Sequence, residues 1–149
     1  MDIQIDISGN VKDAARDSFL GAAEKEGTYK RSVHLPASVK KKIKNYRKYR
    51  DEIHVCLVYL LIKDELAKYS SIHLCNDIGK NSLHNKLLKV FKDDEYYNKL
   101  RLDKKIRIAP VGHDNCEVDK YVKRLKKGKE LPTKRIGYEE LNEILQYFK

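Results

Sequence analysis

The chain has 149 residues, of which 41% are hydrophobic and 36% charged, with seven Gly and three Pro. This composition supplies enough apolar side chains for a buried core and excludes a disordered or collagen-like chain, and we expect one domain over residues 1–149. Lys and Arg number 32 against 22 Asp and Glu, a formal net charge of +10 that attracts polyanions such as nucleic-acid backbones. The simpler explanation of the charge is a general Lys-rich composition bias.

Neither membrane insertion nor disulfide formation is indicated. No apolar run reaches the roughly 18 residues of a membrane-spanning helix, because the longest, residues 53–62, is interrupted by His54. The N-terminus alternates apolar and polar residues, unlike a signal peptide. Cys56, Cys75 and Cys116 lie far apart with no CxxC pair, which argues against a structural zinc site or a disulfide framework. We therefore expect a cytoplasmic protein with reduced thiols and no membrane partner.

Three strands are predicted at the start of the chain. Residues 2–8 alternate strictly, with isoleucines on one face and Asp6 on the other. Residues 18–23 form a weaker second strand, and residues 29–35 form a third, which Pro36 ends. These three segments are close enough in sequence to pair as antiparallel neighbours.

A buried helix and a short strand follow. No Gly or Pro occurs between residues 37 and 69. Although the β-branched residues within 53–62 are also compatible with a strand, the run continues into good helix formers, so we predict a helix of about five turns from Asp51. Residues 72–75 then form a fourth strand that ends at Asp77.

The second half of the chain alternates helices with one strand. Apolar residues at helical spacing predict a helix over residues 83–91, and residues 106–109 predict a fifth strand. A helix with an apolar stripe is predicted to begin near Asp114, and residues 138–148 form a last short helix. The order predicts an α/β fold, with a mixed five-stranded sheet flanked by helices and an extra C-terminal helix.

Four carboxylates occupy positions that this topology can bring together. Asp6 lies on the first strand, Glu52 opens the long helix, Asp77 ends the fourth strand, and Asp119 lies early in the helix after the last strand. Carboxylates that cluster without Lys partners require cations, and oxygen-only ligation suits Mg²⁺ or Mn²⁺. Two such ions about 3.5–4 Å apart activate water on one side of a phosphodiester and stabilise the leaving oxygen on the other.

Each of these acids also has a simpler explanation. Asp6 is also explained as an exposed strand residue, although strands disfavour Asp, and Asp77 as the start of a turn. Glu52 competes with its neighbour Asp51, since either acid stabilises the N-terminus of an apolar helix. Asp119 is also explained by an ion pair with the lysine four positions later. Taken singly, the residues leave both interpretations open.

The order of these segments resembles that of the ribonuclease H family. The run 111–119, VGHDNCEVD, resembles the family's C-terminal signature, in which a His-bearing loop precedes Asn-Glu-x-x-Asp on a helix. Residues 72–77 resemble its fourth strand with a metal-binding Asp at the tip. Glu52, followed by an apolar helix and that strand, matches its Glu–helix–strand–Asp spacing. Asp6, followed by Ile-Ser-Gly, resembles its first-strand Asp.

The resemblance implies a core over about residues 2–128 and a C-terminal extension over about 129–149. It implies that two metal ions are held by four carboxylates, Asp6, Glu52, Asp77 and Asp119. On the same resemblance His113, on a loop, shuttles protons or assists product release. The other four histidines show no ligand spacing and are interpreted as surface or packing residues. The chain departs from the family at Ile78, where Ser is usual, and the wider superfamily contains resolvases, transposases and exonucleases.

The function expected on this basis is two-metal hydrolysis of phosphodiester bonds, with the RNA strand of RNA/DNA hybrids as the favoured substrate. Six basic residues are candidates for phosphate contacts: Lys41, Lys44, Arg47, Lys48, Lys123 and Lys127. Asn10, Asn76 and Asn115 are candidate partners for the sugar 2′-hydroxyls. The alternative is a catalytically inactive module on the same fold that binds nucleic acid or a protein partner. A fragment of a mobile-element integrase or resolvase is a weaker alternative.

Overall fold

A six-stranded mixed sheet forms the centre of the molecule in the computed structural model, which describes residues 1–111 and 116–149. The strands are, in chain order, β1 (Asp2–Ser8), β2 (Ser18–Glu24), β3 (Lys30–Leu35), β4 (Ser71–Leu74), β5 (Ile106–Ile108) and β6 (Lys134–Arg135). Their spatial order is β5-β4-β1-β2-β3-β6. The β1–β2 and β2–β3 pairs are antiparallel, whereas β1–β4, β4–β5 and β3–β6 are parallel. The predicted mixed α/β sheet is confirmed, but the predicted count of five strands misses β6.

The helices flank this sheet. They are α1 (Ala37–Lys40), α2 (Arg50–Ile62), α3 (Lys80–Val90), α4 (Glu95–Leu102), α5 (Glu117–Lys126) and α6 (Tyr138–Leu145). None of the helices in the described ranges is long and apolar enough to cross a membrane. The predicted start of a helix near Asp114 lies outside the described residues.

Two helix predictions need correction. α2 has 13 residues and ends at Ile62, short of five turns, because the chain tightens there into a 3₁₀ turn over Leu66–Lys68. α4 is an additional helix, whose first turn is capped by Asp94 accepting a hydrogen bond from the Tyr97 amide at 2.9 Å. Tyr97 is buried against the core, so both the Asp94 cap and tertiary packing stabilise α4.

The two faces of the sheet pack against different helices. Ile3 and Ile5 are each 1% exposed and belong to the main core, together with the apolar residues of α2. Asp6 points to the other face, where its register partner on β2 is Gly21. A Cβ at Gly21 would lie 2.7 Å from Val122 Cγ1, so α5 packs closely against this face. The isoleucines of β1 therefore pack in the core on one face of the sheet, and Asp6 faces α5 on the other.

The loop between β1 and β2 is held by a buried lysine. Lys40 is fully buried, and its Nζ donates hydrogen bonds to the Asp13 carbonyl at 2.8 Å, the Ser18 hydroxyl at 2.8 Å and the Asn10 carbonyl at 3.4 Å. Burial lowers the pKa of Lys40 to about 8, against the opposing pull of Asp13 and Asp17. These bonds fix the loop that carries Asn10 to the sheet edge.

Replacing Lys40 with Met is expected to destabilise the fold. The substitution keeps the aliphatic stem but leaves the Ser18 hydroxyl and two loop carbonyls without their donor, at a cost of about 1–3 kcal/mol. Urea unfolding of Lys40→Met and of the exposed neighbour Lys41→Met measures the difference. Equal unfolding midpoints for the two variants would show that the buried amine does not anchor the loop.

Candidate metal centre

Asp6, Cys75 and Asp77 meet at the edge of the sheet where two parallel strands end. Each offers one ligand atom, and these atoms all lie within 4.8 Å of one another. β1 and β4 are parallel neighbours with Ile5 opposite Leu74, and the Cys75 amide donates to the Ile5 carbonyl at 3.1 Å. The pairing therefore places the end of one strand beside the end of the other. The structure brings together Asp6 and Asp77 in this way.

Crowding and burial raise proton affinity within the Asp6–Cys75–Asp77 cluster. Burial raises the pKa of Asp6 above its usual value, and the charges of Asp77 and Asp119 raise it further. The Ile7 amide, which donates to Asp6 Oδ1 at 2.8 Å, acts in the opposite direction. Burial and the two neighbouring aspartates raise the pKa of the Cys75 thiol to about 11. A cation among these groups would remove the repulsion.

Asp119 approaches this cluster from α5. It lies in the first turn of the helix, near enough for its charge to act on Asp6. Its Oδ2 atom also forms an ion pair with Lys123 Nζ at 2.9 Å, which is the i,i+4 pair of the simpler explanation. The structure therefore combines both interpretations: Asp119 is near the cluster and is partly neutralised by its own helix.

Asp51 and Glu52, the two neighbouring acids of α2, have different surroundings. Glu52 Oε1 lies 3.9 Å from Lys86 Nζ on α3, in an ion pair. Asp51 lines the same cavity as Asp77. Successive residues of a helix point about 100° apart, so the two acids have different surroundings. The assignment of Glu52 to the metal centre stays a prediction, and Asp51 is a second candidate from the same helix turn.

A cavity of about 210 Å³ adjoins the cluster and shares Asp77 with it. Arg50, Asp51 and His54 from the start of α2 line one part of this cavity, and Lys12 of the β1–β2 loop lines another. His54 is 3% exposed, and burial lowers its pKa although Asp77 and Asp51 oppose that effect. The cavity thus offers cationic groups and an imidazole next to the carboxylates.

Two residues at this site were not among the sequence-based candidates. His54 was interpreted as a surface or packing residue; it is buried but faces the cavity. Its signal in the sequence is the interruption of an otherwise apolar run. Cys75 directly follows β4, next to Leu74, and Asp77 lies in the turn two residues later. Its place just after a predicted strand, close to a predicted metal-binding acid, is the signal in the sequence that identifies Cys75.

The other predicted residues have varied positions. Asn10 lines the cavity, and its Oδ1 accepts a hydrogen bond from the Lys12 amide at 2.9 Å. Asn76 is exposed next to Asp77. The basic candidates are all exposed, namely Lys41, Lys44, Arg47, Lys48, Lys123 and Lys127. His113 and Asn115 lie outside the described residues.

Replacing Asp6 with Asn is expected to stabilise the metal-free protein. The change removes a partly buried charge that Asp77 and Asp119 repel, and a rise in Tm of about 2–4 °C corresponds to about 1 kcal/mol for a chain of this length. The same variant should lose any rise in Tm that Mn²⁺ gives the parent. Thermal unfolding with a chelator and with Mn²⁺ tests both effects, and the exposed Asp64→Asn is the control. A lower Tm for the Asp6 variant in chelator would contradict the assigned repulsion.

Comparisons with known proteins assign no family to the chain. No protein-family model matches it, and neither a curated protein nor a solved structure does so. The chemistry of the site is therefore inferred from the side chains at the sheet edge and from the surface around them.

Proposed function

We propose that this protein is a metal-dependent nuclease of the ribonuclease H-like type, which hydrolyses phosphodiester bonds. The observation that carries the proposal is the meeting of Asp6 and Asp77 at the ends of neighbouring parallel strands, with Asp119 approaching from α5. The RNA strand of an RNA/DNA hybrid is the favoured substrate, on the resemblance described above.

The arrangement of the sheet supports this proposal. The antiparallel β1–β2–β3 unit, followed by β4 and β5 in parallel with β1, agrees with the mixed sheet that the resemblance implies. The end of β1, the end of β4 and the first turn of α5 each contribute one acid to the same region. Since one fold carries many activities, the side chains rather than the sheet carry the argument for hydrolysis.

The donor set fits Mg²⁺ or Mn²⁺ through its carboxylates. Asp6 and Asp77 would hold the ion, with Asp119 and Asp51 as further acids beside them. Burial is the main cause of the raised pKa of Asp6, and the charges of Asp77 and Asp119 add to it. When bound, such ions polarise a phosphate oxygen and activate water for attack on phosphorus.

The surroundings of the centre suit a phosphate chain. Lys12 and Arg50 bring positive charge into the cavity that Asp77 shares, where they can bind a phosphate next to the carboxylates. His54, whose pKa is lowered by burial, lines the same cavity and can exchange hydrogen bonds with a sugar or water there. Exposed basic residues between α1 and α2, residues 41–48, lead towards Arg50 and attract the backbone over a longer range.

Replacing Asp77 with Asn should abolish cleavage while binding is retained. The variant keeps the size of the side chain but removes a charged ligand, and we expect metal-dependent cleavage to fall by more than about 100-fold. Labelled RNA/DNA hybrid, duplex DNA and single-stranded RNA are incubated with Mg²⁺ or Mn²⁺, with the exposed Asp93→Asn as the matched control. Binding by the parent protein that is independent of metal and produces no cleavage would favour the inactive binding module instead.

The two neighbouring acids of α2 should differ in importance. Asp51 lines the cavity with Asp77, whereas Glu52 pairs with Lys86 on α3. We therefore expect Asp51→Asn to lower the rate of cleavage at least about tenfold and Glu52→Gln to change it less than about threefold. Single-turnover rates on the preferred substrate make the comparison. A larger loss for Glu52→Gln would restore Glu52 as the metal-binding acid and contradict the assignment of Asp51.

A further inference from the structure

The thiol of Cys75 distinguishes this cluster from a site made of oxygen atoms alone. Its Sγ lies within 4.8 Å of a carboxylate oxygen of Asp6 and of Asp77, on the face of the sheet that Asp6 occupies. Zinc forms bonds of about 2.3 Å to sulfur and about 2.0–2.2 Å to carboxylate oxygen, so two of its ligand atoms lie about 3.6 Å apart in tetrahedral geometry. The three groups lie within 4.8 Å of one another, and rotation about their side-chain bonds can bring them to one ion.

A second observation at the same place concerns His54. Its side chain is 3% exposed, lines the cavity that Asp77 shares, and forms no hydrogen bond within residues 1–111 and 116–149. A buried imidazole that faces a cavity and makes no hydrogen bond is a nitrogen donor available to a ligand, and the charges of Asp77 and Asp51 act on this one. The cavity thus adds a nitrogen donor beside the oxygen and sulfur donors of the cluster, and zinc accepts all three types whereas magnesium prefers oxygen.

We propose that Asp6, Cys75 and Asp77 form a binding site for a thiophilic divalent cation, Zn²⁺, with Cys75 as its thiolate ligand, and that Zn²⁺ bound there excludes Mg²⁺. On binding, the Cys75 S–H bond breaks, its proton goes to solvent and a sulfur–metal bond forms, with no change of oxidation state. Two carboxylates and one thiolate then surround the ion. The exclusion rests on the proposed function, since it assumes that Mg²⁺ uses the same Asp6 and Asp77.

Absorption spectroscopy with Cd²⁺, which stands in for Zn²⁺, tests the sulfur ligand directly. Cadmium bound to a thiolate gives a charge-transfer band in the ultraviolet, and we expect the parent protein to develop this band up to one equivalent. Cys75→Ser should not develop it. The matched control is Cys116→Ser, which removes another half-buried cysteine and should keep the band.

Calorimetric titration with Zn²⁺ gives the second measurement. We expect the Kd for Zn²⁺ to rise at least about tenfold in Cys75→Ser and to change less than about twofold in Cys116→Ser. Millimolar Mg²⁺ should weaken the apparent affinity of the parent for Zn²⁺. Circular dichroism and thermal unfolding of each variant show whether it is folded.

The outcomes separate this inference from the proposed function. A cadmium band that persists in a folded Cys75→Ser, or that disappears in Cys116→Ser, would overturn Cys75 as the ligand. Zinc binding that Mg²⁺ leaves unchanged would overturn the shared site. Because neither titration measures cleavage, a protein that binds Zn²⁺ through Cys75 but cuts no substrate would refute only the nuclease proposal.

Discussion

The parallel pairing of β1 with β4 is the constraint on which the candidate site depends. Ile5 lies opposite Leu74, so Asp6 on β1 lies close to Cys75 and Asp77, which directly follow β4. A shift of this pairing by one residue would turn every side chain of a strand to the opposite face, and the apolar residues would leave the core. The hydrophobic packing that holds Ile5 inside therefore also fixes where Asp6 points.

The two faces of β1 lie in different environments. Ile3 and Ile5 are fully buried on one face, and on the other Asp6 lies beneath α5, which approaches closely because Gly21 has no side chain. The result is a partly buried carboxylate with like charges nearby, which is unfavourable in the absence of a cation. This local cost is consistent with a site selected for function, since stability alone does not explain it.

Charge is distributed unevenly over the molecule. The chain carries a net charge of +10, yet acids crowd the end of the β1–β4 pair. A polyanion drawn by the exposed lysines would meet repulsion at the carboxylates unless cations lie between them. The proposed phosphodiester hydrolysis with divalent metal ions would account for both features, the attractive surface and the repulsive centre.

Local patterns predicted much of the fold and part of the site. Strict alternation placed Asp6 on the face opposite Ile3 and Ile5, because the period of two determines the face directly. The short fourth strand placed Asp77 in the turn that follows it. The choice between Asp51 and Glu52 was different, since sequence alone does not fix the rotation of a helix about its axis. β6 has only two residues, too few to show an alternating pattern, so the sequence does not predict it and its pairing with β3 depends on tertiary packing.

The position of a bound Mn²⁺ ion tests the central claim most directly. A crystal of the protein soaked in Mn²⁺ gives the ion's location from its anomalous scattering. The account predicts a peak within about 2.0–2.6 Å of carboxylate oxygens from both Asp6 and Asp77. Clear density for the two side chains with no peak between them, or with the carboxylates turned apart, would contradict it.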